Sequence, residues 1–183
     1  MSPAGWLGAE RAQLAAEQIL DAAGQLFAER GVASVGMAEV AERAGCSRAT
    51  LYRYFDGRDA LRTAFVHRET RRVGAAVAEQ VRGVEDPGER LVTVMLAALR
   101  MVRADPTLAA WFSAGDAGLT SRLAQSSEVI EALVVGMLGG EGPDVRRRAR
   151  WVVRILVSML SEPGADEAEE RTLVEDFVVP VVI

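Results

Sequence analysis

The 183-residue chain contains no lysine and no asparagine, and only one cysteine and one histidine. Cys46 alone excludes a disulfide framework. Together with His67 it is still too little for a dedicated Cys/His metal site, so no cofactor is expected. The missing lysine and asparagine read as codon bias of a GC-rich genome rather than as physical chemistry. Long apolar runs are missing as well. The longest stretch without a charged side chain, Pro106 to Gly115, is ten residues, against the about 18–20 needed to span a bilayer. Met1 to Arg11 has no basic segment leading into an apolar one, as a secretory signal would. These absences predict a cytoplasmic chain with no membrane partner. Half of the residues are hydrophobic and 26% are charged, which excludes disorder and allows a real core.

Catalytic constellations are equally scarce. There is no nucleophile–histidine–acid set and no phosphate-binding loop, and nothing around His67 forms a motif. A small helical enzyme is the least supported reading, and a half-exposed structural histidine describes His67 better than a proton carrier.

What the chain does have is arginine, unevenly placed. The net charge is −5, from 21 arginines and 26 acids. Residues 1–72 hold ten of those arginines against nine acids, while residues 73–183 hold eleven against seventeen. Between Cys46 and Arg72, seven arginines (48, 53, 58, 62, 68, 71 and 72) face three acids. Such a patch on an acidic chain suits a polyanion partner, and it equally suits a solvated, arginine-laced helix surface.

Helical periodicity dominates and sustained two-residue alternation is absent, which predicts an all-α fold of about nine helices. The first helix is expected over Glu10–Arg30, with Leu14, Ile19, Ala22, Ala23, Leu26 and Phe27 as its apolar stripe and Gly31 as its stop. Two short pieces follow, Met37–Ala44 and Ser47–Phe55, and then a longer helix from Arg58 to about Arg82. Asp86-Pro87-Gly88-Glu89 starts another helix with an acidic N-cap and proline at the first position. Asp105-Pro106 repeats that start for a short helix through Phe112. Further helices are expected over Leu119–Leu138, Pro143–Leu160 and Ala165–Val179.

The two short pieces carry the chemistry. They cannot bury much alone, so Val40, Ala41, Leu51 and Phe55 should pack on the first helix. Ala44-Gly45-Cys46-Ser47 places glycine at a sharp turn and serine at the N-cap of the following helix. That is a helix-turn-helix, whose second helix enters the DNA major groove. Arg48 at its exposed start suits a bidentate contact with guanine. Ser47, Thr50, Tyr52 and Tyr54 offer hydroxyls, and Arg53 reaches phosphate or base. The competing reading is an αα-hairpin whose tyrosines cover the core.

The run VAERAGCSRATLYRYFDGRDAL, from Val40 to Leu61, resembles the DNA-binding signature of TetR-family transcriptional regulators. Ile19–Ala23 and Leu26–Gly31 resemble that family's first helix, so the likeness is strong over about residues 12 to 62. The resemblance implies a three-helix DNA-binding head over residues 1–56. Residues 57–183 become a larger helical body for ligand binding and dimerisation, with helix 57–82 as connector. It makes Ser47–Phe55 the recognition helix, with Arg48, Ala49, Thr50, Tyr52 and Tyr54 at bases or adjacent phosphates. Arg58 falls where the family usually clamps a phosphate with lysine. Gly36 stands where serine or threonine commonly caps the second helix, and Met37 and Ala38 stand where polar side chains often reach DNA. Sequence readout should therefore rest on Arg48 and the tyrosines.

For the body, the resemblance implies a ligand pocket and a two-fold seam built by the last two helices. Met95, Met101, Trp111, Phe112, Met137 and Trp151 are the pocket candidates, or else plain core. If they line a pocket, it is apolar, and so is the effector. The nearly all-round apolar run Trp151–Leu160 and the apolar end Phe177–Ile183 suit a seam or ordinary core packing. Arg154, Ser158 and Phe177 are its candidates, with Arg154 on a polar stripe, paired across the seam to Glu169, Glu170 or Asp176, or binding a ligand. The expected function is a dimeric repressor released from a palindromic double-stranded operator by a small hydrophobic ligand. The alternative is an activator or a regulator without an effector.

Overall fold

The computed structural model describes residues 3–113 and 115–183, and among these every regular element is helical. Three helices make the head: α1 (Pro3–Arg30), α2 (Met37–Arg43) and α3 (Arg48–Tyr54). α4 (Arg58–Gln80) leads into a body of α5 (Pro87–Ala104), α6 (Pro106–Ala109) with a 3-10 turn at Ala110–Phe112, α7 (Ala117–Ser126), α8 (Glu128–Leu138), α9 (Pro143–Ser161), α10 (Glu167–Phe177) and α11 (Val179–Val182). No described helix is long and apolar enough to cross a membrane.

The caps form as their residue types dictate. Asp86 accepts the Glu89 N–H at 2.7 Å ahead of Pro87, and Asp105 accepts that of Thr107 at 3.0 Å ahead of Pro106. Each satisfies a donor that the first helical turn leaves without a partner.

Three expected boundaries are corrected. α1 starts earlier, at Pro3, and Leu14 lies outside its buried stripe, exposed. The helix expected over Leu119–Leu138 is two, because Ser127 leaves helical geometry and its Oγ accepts the Ile130 N–H at 3.2 Å, starting α8 afresh. Glu128 and Glu131 in that new first turn favour the break electrostatically. The final helix divides at Val178, since Pro180 has no N–H to donate and its ring crowds the carbonyl four residues back.

Two large cores result. One gathers Ile19, Leu26, Phe27, Val40, Leu51 and Phe55 of the head with Leu61 and Phe65 of α4, Leu108 and Trp111. The other joins α5, α8, α9, α10 and α11 through residues such as Met95, Val134, Val152 and Val174. The joint between head and body is aromatic. Phe27 meets Phe65 edge-on at 5.3 Å and Trp111 edge-on at 5.4 Å, while Phe65 and Trp111 stack at 5.8 Å. Such pairs each contribute about 0.5–1.5 kcal/mol beyond area burial.

Candidate nucleic-acid interface and apolar cavity

The turn between α2 and α3 closes on Gly45, whose φ of 67° suits glycine better than a side-chain-bearing residue. Val40, Ala41 and Leu51 bury the inner faces of both helices. Ser47 caps α3 by accepting the Thr50 N–H at 3.0 Å, and the two hydroxyls lie 2.9 Å apart. Gly36 caps α2 without a side chain, and the Glu39 carboxylate reaches back to accept its N–H at 2.9 Å. Met37 is buried in the head core, while Ala38 is exposed, so neither offers a polar reader.

With its inner face anchored, α3 presents Arg48, Ala49, Tyr52 and Arg53 outward. Tyr52 keeps 43% of its surface exposed. Tyr54 is half-buried against the head core, with the Arg53 guanidinium 5.3 Å from its ring centroid, so its ring serves packing as well as its hydroxyl any phosphate. Arg58 opens α4 and is exposed.

The arginine-rich stretch separates into two groups that the sequence did not distinguish. Arg62 is buried and donates to the carbonyl oxygens of Val32 and Ala33. Arg68 reaches Glu17, Asp21 and Glu69, and Arg72 joins Glu69 to Asp105. Arg48, Arg53, Arg58 and Arg71 are exposed, and none forms an ion pair among the described residues. The cations available to a polyanion are thus fewer than the composition suggested.

Behind the head, α4, α5, α6 with the turn after it, α7, α8 and α9 line a half-open cavity of about 200 Å3. Its wall is mainly aliphatic, including Val66, Val73, Leu133, Val152 and Leu156, and Phe65 and Trp111 form the end nearest the head. Trp111, Phe112 and Met137 line it, whereas Met95, Met101 and Trp151 do not. Met95 is fully buried in the body core, Met101 packs beside Val77 and Val94, and Trp151 faces outward with 39% of its surface exposed. Large flexible or aromatic side chains are few on the cavity wall, and valines and leucines make most of it. Gly74 inside α4 faces Leu133 of α8, and a Cβ there would press on the tip of that side chain.

On α9, Arg154 and Ser158 share the outward face of Trp151, and Phe177 of α10 is 65% exposed. Arg154 bonds Gln125 at 3.3 Å rather than an acid. Glu170 is held by both terminal nitrogens of Arg103, at 2.6 and 2.8 Å, and Glu169 accepts the Ala165 N–H. His67, half-buried on α4, lies beside Thr63, Ser126 and Glu128 in a surface recess. Burial, and then Arg71, pull its pKa below the ordinary 6.5.

Known proteins agree with this geometry. Residues 19–65 match the family model for bacterial regulatory proteins of the tetR family. An uncharacterized HTH-type transcriptional regulator of Mycobacterium tuberculosis is 54% identical over 186 aligned positions, covering 100% of this chain and 92% of that protein. Among solved structures, RolR in complex with resorcinol matches with a TM-score of 0.72 at 20% identity, over 95% of this chain and 90% of its own. FadR of Bacillus subtilis in complex with stearoyl-CoA matches with a TM-score of 0.65 at 18% identity, over 91% of this chain and 99% of its own. The chain belongs to the TetR family and is a DNA-binding transcriptional regulator, not an enzyme.

Proposed function

We propose that the protein is a cytoplasmic, dimeric repressor that leaves a palindromic operator when a small apolar ligand fills the cavity. Residues 1–56 act as the DNA-binding unit and residues 57–183 as the ligand and dimer unit, with helix 57–82 between them. In this reading Ser47, Arg48, Ala49, Thr50, Tyr52, Arg53, Tyr54 and Arg58 meet the DNA.

One observation carries the ligand response: Phe65 belongs to both parts. Its ring lines the cavity, stacks on Trp111 and meets Phe27 of the head edge-on. A ligand that displaces Phe65 therefore works directly on the core that seats α2 and α3. A repressor of this kind loses its operator when its two recognition helices no longer match major grooves about 34 Å apart. Coupling of about 1–3 kcal/mol would lower DNA affinity roughly 5- to 150-fold. Resorcinol and stearoyl-CoA bound to the structural neighbours support a ligand-holding body.

Dimerisation is supported by the outward apolar residues of the last helices. Trp151, Leu173, Phe177, Val181 and Ile183 are all large and exposed, which a lone chain leaves in water. A second copy covers them and supplies the two-fold symmetry that a palindrome requires.

The test is a gel-shift of the purified full chain on DNA flanking its own gene, with and without a panel of small aromatic and aliphatic molecules. Release by a panel member, with rising transcription in a deletion strain, is the expected result. Falling transcription in that strain replaces the repressor with an activator, and DNA binding that no panel member alters removes support for the ligand response.

A further inference from the structure

The cavity is long for its volume, and its shape narrows the occupant, on the reading above that it holds a ligand. Along α4 its wall takes Val66, Glu69, Thr70, Val73, Gly74 and Val77, one stripe that repeats every three or four residues. The ends of that stripe lie about 16 Å apart, at about 1.5 Å per helical residue. Met137 and Val94 close the far end beside Val77. Spread over that length, the volume of about 200 Å3 leaves a mean cross-section of about 12 Å2. A compact void of about 150 Å3 takes a benzene ring, but a bore this slender suits a single extended chain of methylenes.

At the end nearest the DNA-binding head the surroundings turn polar. Val66 and Leu123 line both the cavity and the recess beside His67, so the two spaces meet at those side chains. Thr63 and His67 carry the α4 stripe one turn further into the recess, where Ser126 and Glu128 join them. Neither the His67 imidazole nor the Thr63 hydroxyl has a hydrogen bond among the described residues. Neither is sealed from solvent, because the unpaired side-chain atoms that are sealed are Arg103 Nε and Trp111 Nε1. Both groups are therefore open to a partner that enters the recess. Charge narrows that partner. No arginine lines either space, and the Glu69 oxygens are taken by Arg68 Nε at 2.8 Å and Arg72 Nε at 2.6 Å. An anion in the recess meets Glu128 with no cation on the wall, and a cation meets the Arg71 charge that already disfavours a protonated His67.

We propose that recess and cavity together hold one amphipathic molecule, an uncharged polar end on a single unbranched alkyl chain. The polar end, of hydroxyl class, lies against Thr63 and His67, and the chain runs along α4 from Val66 towards Met137. A cyclic body of equal carbon number is too broad for the bore.

The experiment titrates the untagged full chain by calorimetry with 1-alkanols from butanol to decanol, and with cyclooctanol, octanoate and octylammonium. Affinity for the alkanols is expected to rise about fourfold per methylene, then level off where the chain meets Met137. Cyclooctanol, with the carbon number and hydroxyl of 1-octanol, should bind at least tenfold more weakly, and so should both charged octyl compounds. Met137→Trp fills the far end at a half-buried position, so the levelling-off should move to a shorter alkanol while 1-butanol binds as before. His67 is the only histidine, so its imidazole NMR signals are unambiguous, and 1-octanol should shift them. Cyclooctanol binding as tightly as 1-octanol overturns the chain-shaped ligand, and an unmoved levelling-off in Met137→Trp overturns its course along α4. An imidazole that 1-octanol leaves unshifted overturns the placement of the polar end. Equal binding of either charged compound overturns the uncharged class. In each of these cases the ligand-holding cavity stands, whereas failure of every probe to bind removes that reading and this inference with it.

Discussion

Asp116, in the turn that follows Trp111, accepts the backbone N–H of Val32 at 2.9 Å and so ties the body to the head. Its other oxygen accepts the Ala33 N–H at 2.7 Å, and Arg62 of α4 donates to the Val32 carbonyl at 2.8 Å. The loop between α1 and α2 is thus gripped through donors and acceptors alike by two buried side chains of opposite charge. Asp116 is only 3% exposed, so little solvent competes for its bonds.

Asp116→Ala is expected to lower stability by about 1–3 kcal/mol, because the buried Val32 N–H loses its acceptor. Urea unfolding measures the loss. Amide exchange supplies the residue-level check: Val32 and Ala33 should exchange faster in the variant, while Val152 in the body core should not.

Arg48 and Arg58 should fail differently on DNA. Arg48→Ala is expected to relax preference at one operator position by about 1–3 kcal/mol, as the loss of a bidentate base contact does. Arg58→Ala should weaken specific and random DNA alike and flatten the salt dependence of binding by about one unit of slope. Equal losses on both kinds of DNA for Arg48→Ala would remove its base-reading role.

Acid should loosen the body through Glu170. The hydrogen bonds from Arg103 outweigh burial and hold its pKa below the ordinary 4.5. The unfolded chain therefore takes up the proton first, so this stabilisation is complete above the ordinary pKa and is lost as pH falls through the depressed one. Glu170→Gln should be less stable near neutrality and show a shallower decline on acidification. Denaturation midpoints between about pH 6 and pH 3 test this. Asp105 retains part of the slope, because hydrogen bonds from Thr107 and the Arg72 charge overcome the burial that would raise its pKa.

The proposed seam is checked by mass. Phe177→Asp places a charge on a residue that is 65% exposed in the single chain, so the fold should survive and the dimer should not. Light scattering is expected to show a halved mass with unchanged helicity by circular dichroism. A dimer that persists places the seam elsewhere.

Much of this was legible from residue order. Ser47, Asp86 and Asp105 act as caps because a side chain and an N–H two or three residues away need no tertiary context. Val40, Ala41, Leu51 and Phe55 share a buried side because helical spacing puts them there. The break at Ser127 was harder to see, since a serine between two apolar stretches can sit inside a helix or start one. The size of Trp151 makes it a candidate for pocket or core, yet spacing alone cannot say which side of α9 faces the body.

By itself, then, the sequence determined an all-helical chain, its caps, and a helix-turn-helix with Arg48 at the start of its second helix. Those features depend on contacts a few residues apart. Tertiary structure alone decided which of the seven clustered arginines remain free, that Asp116 meets Val32, and that Phe27, Phe65 and Trp111 converge beside an apolar cavity. Each of these joins residues far apart in the chain, and their meeting depends on how whole helices pack rather than on any local preference.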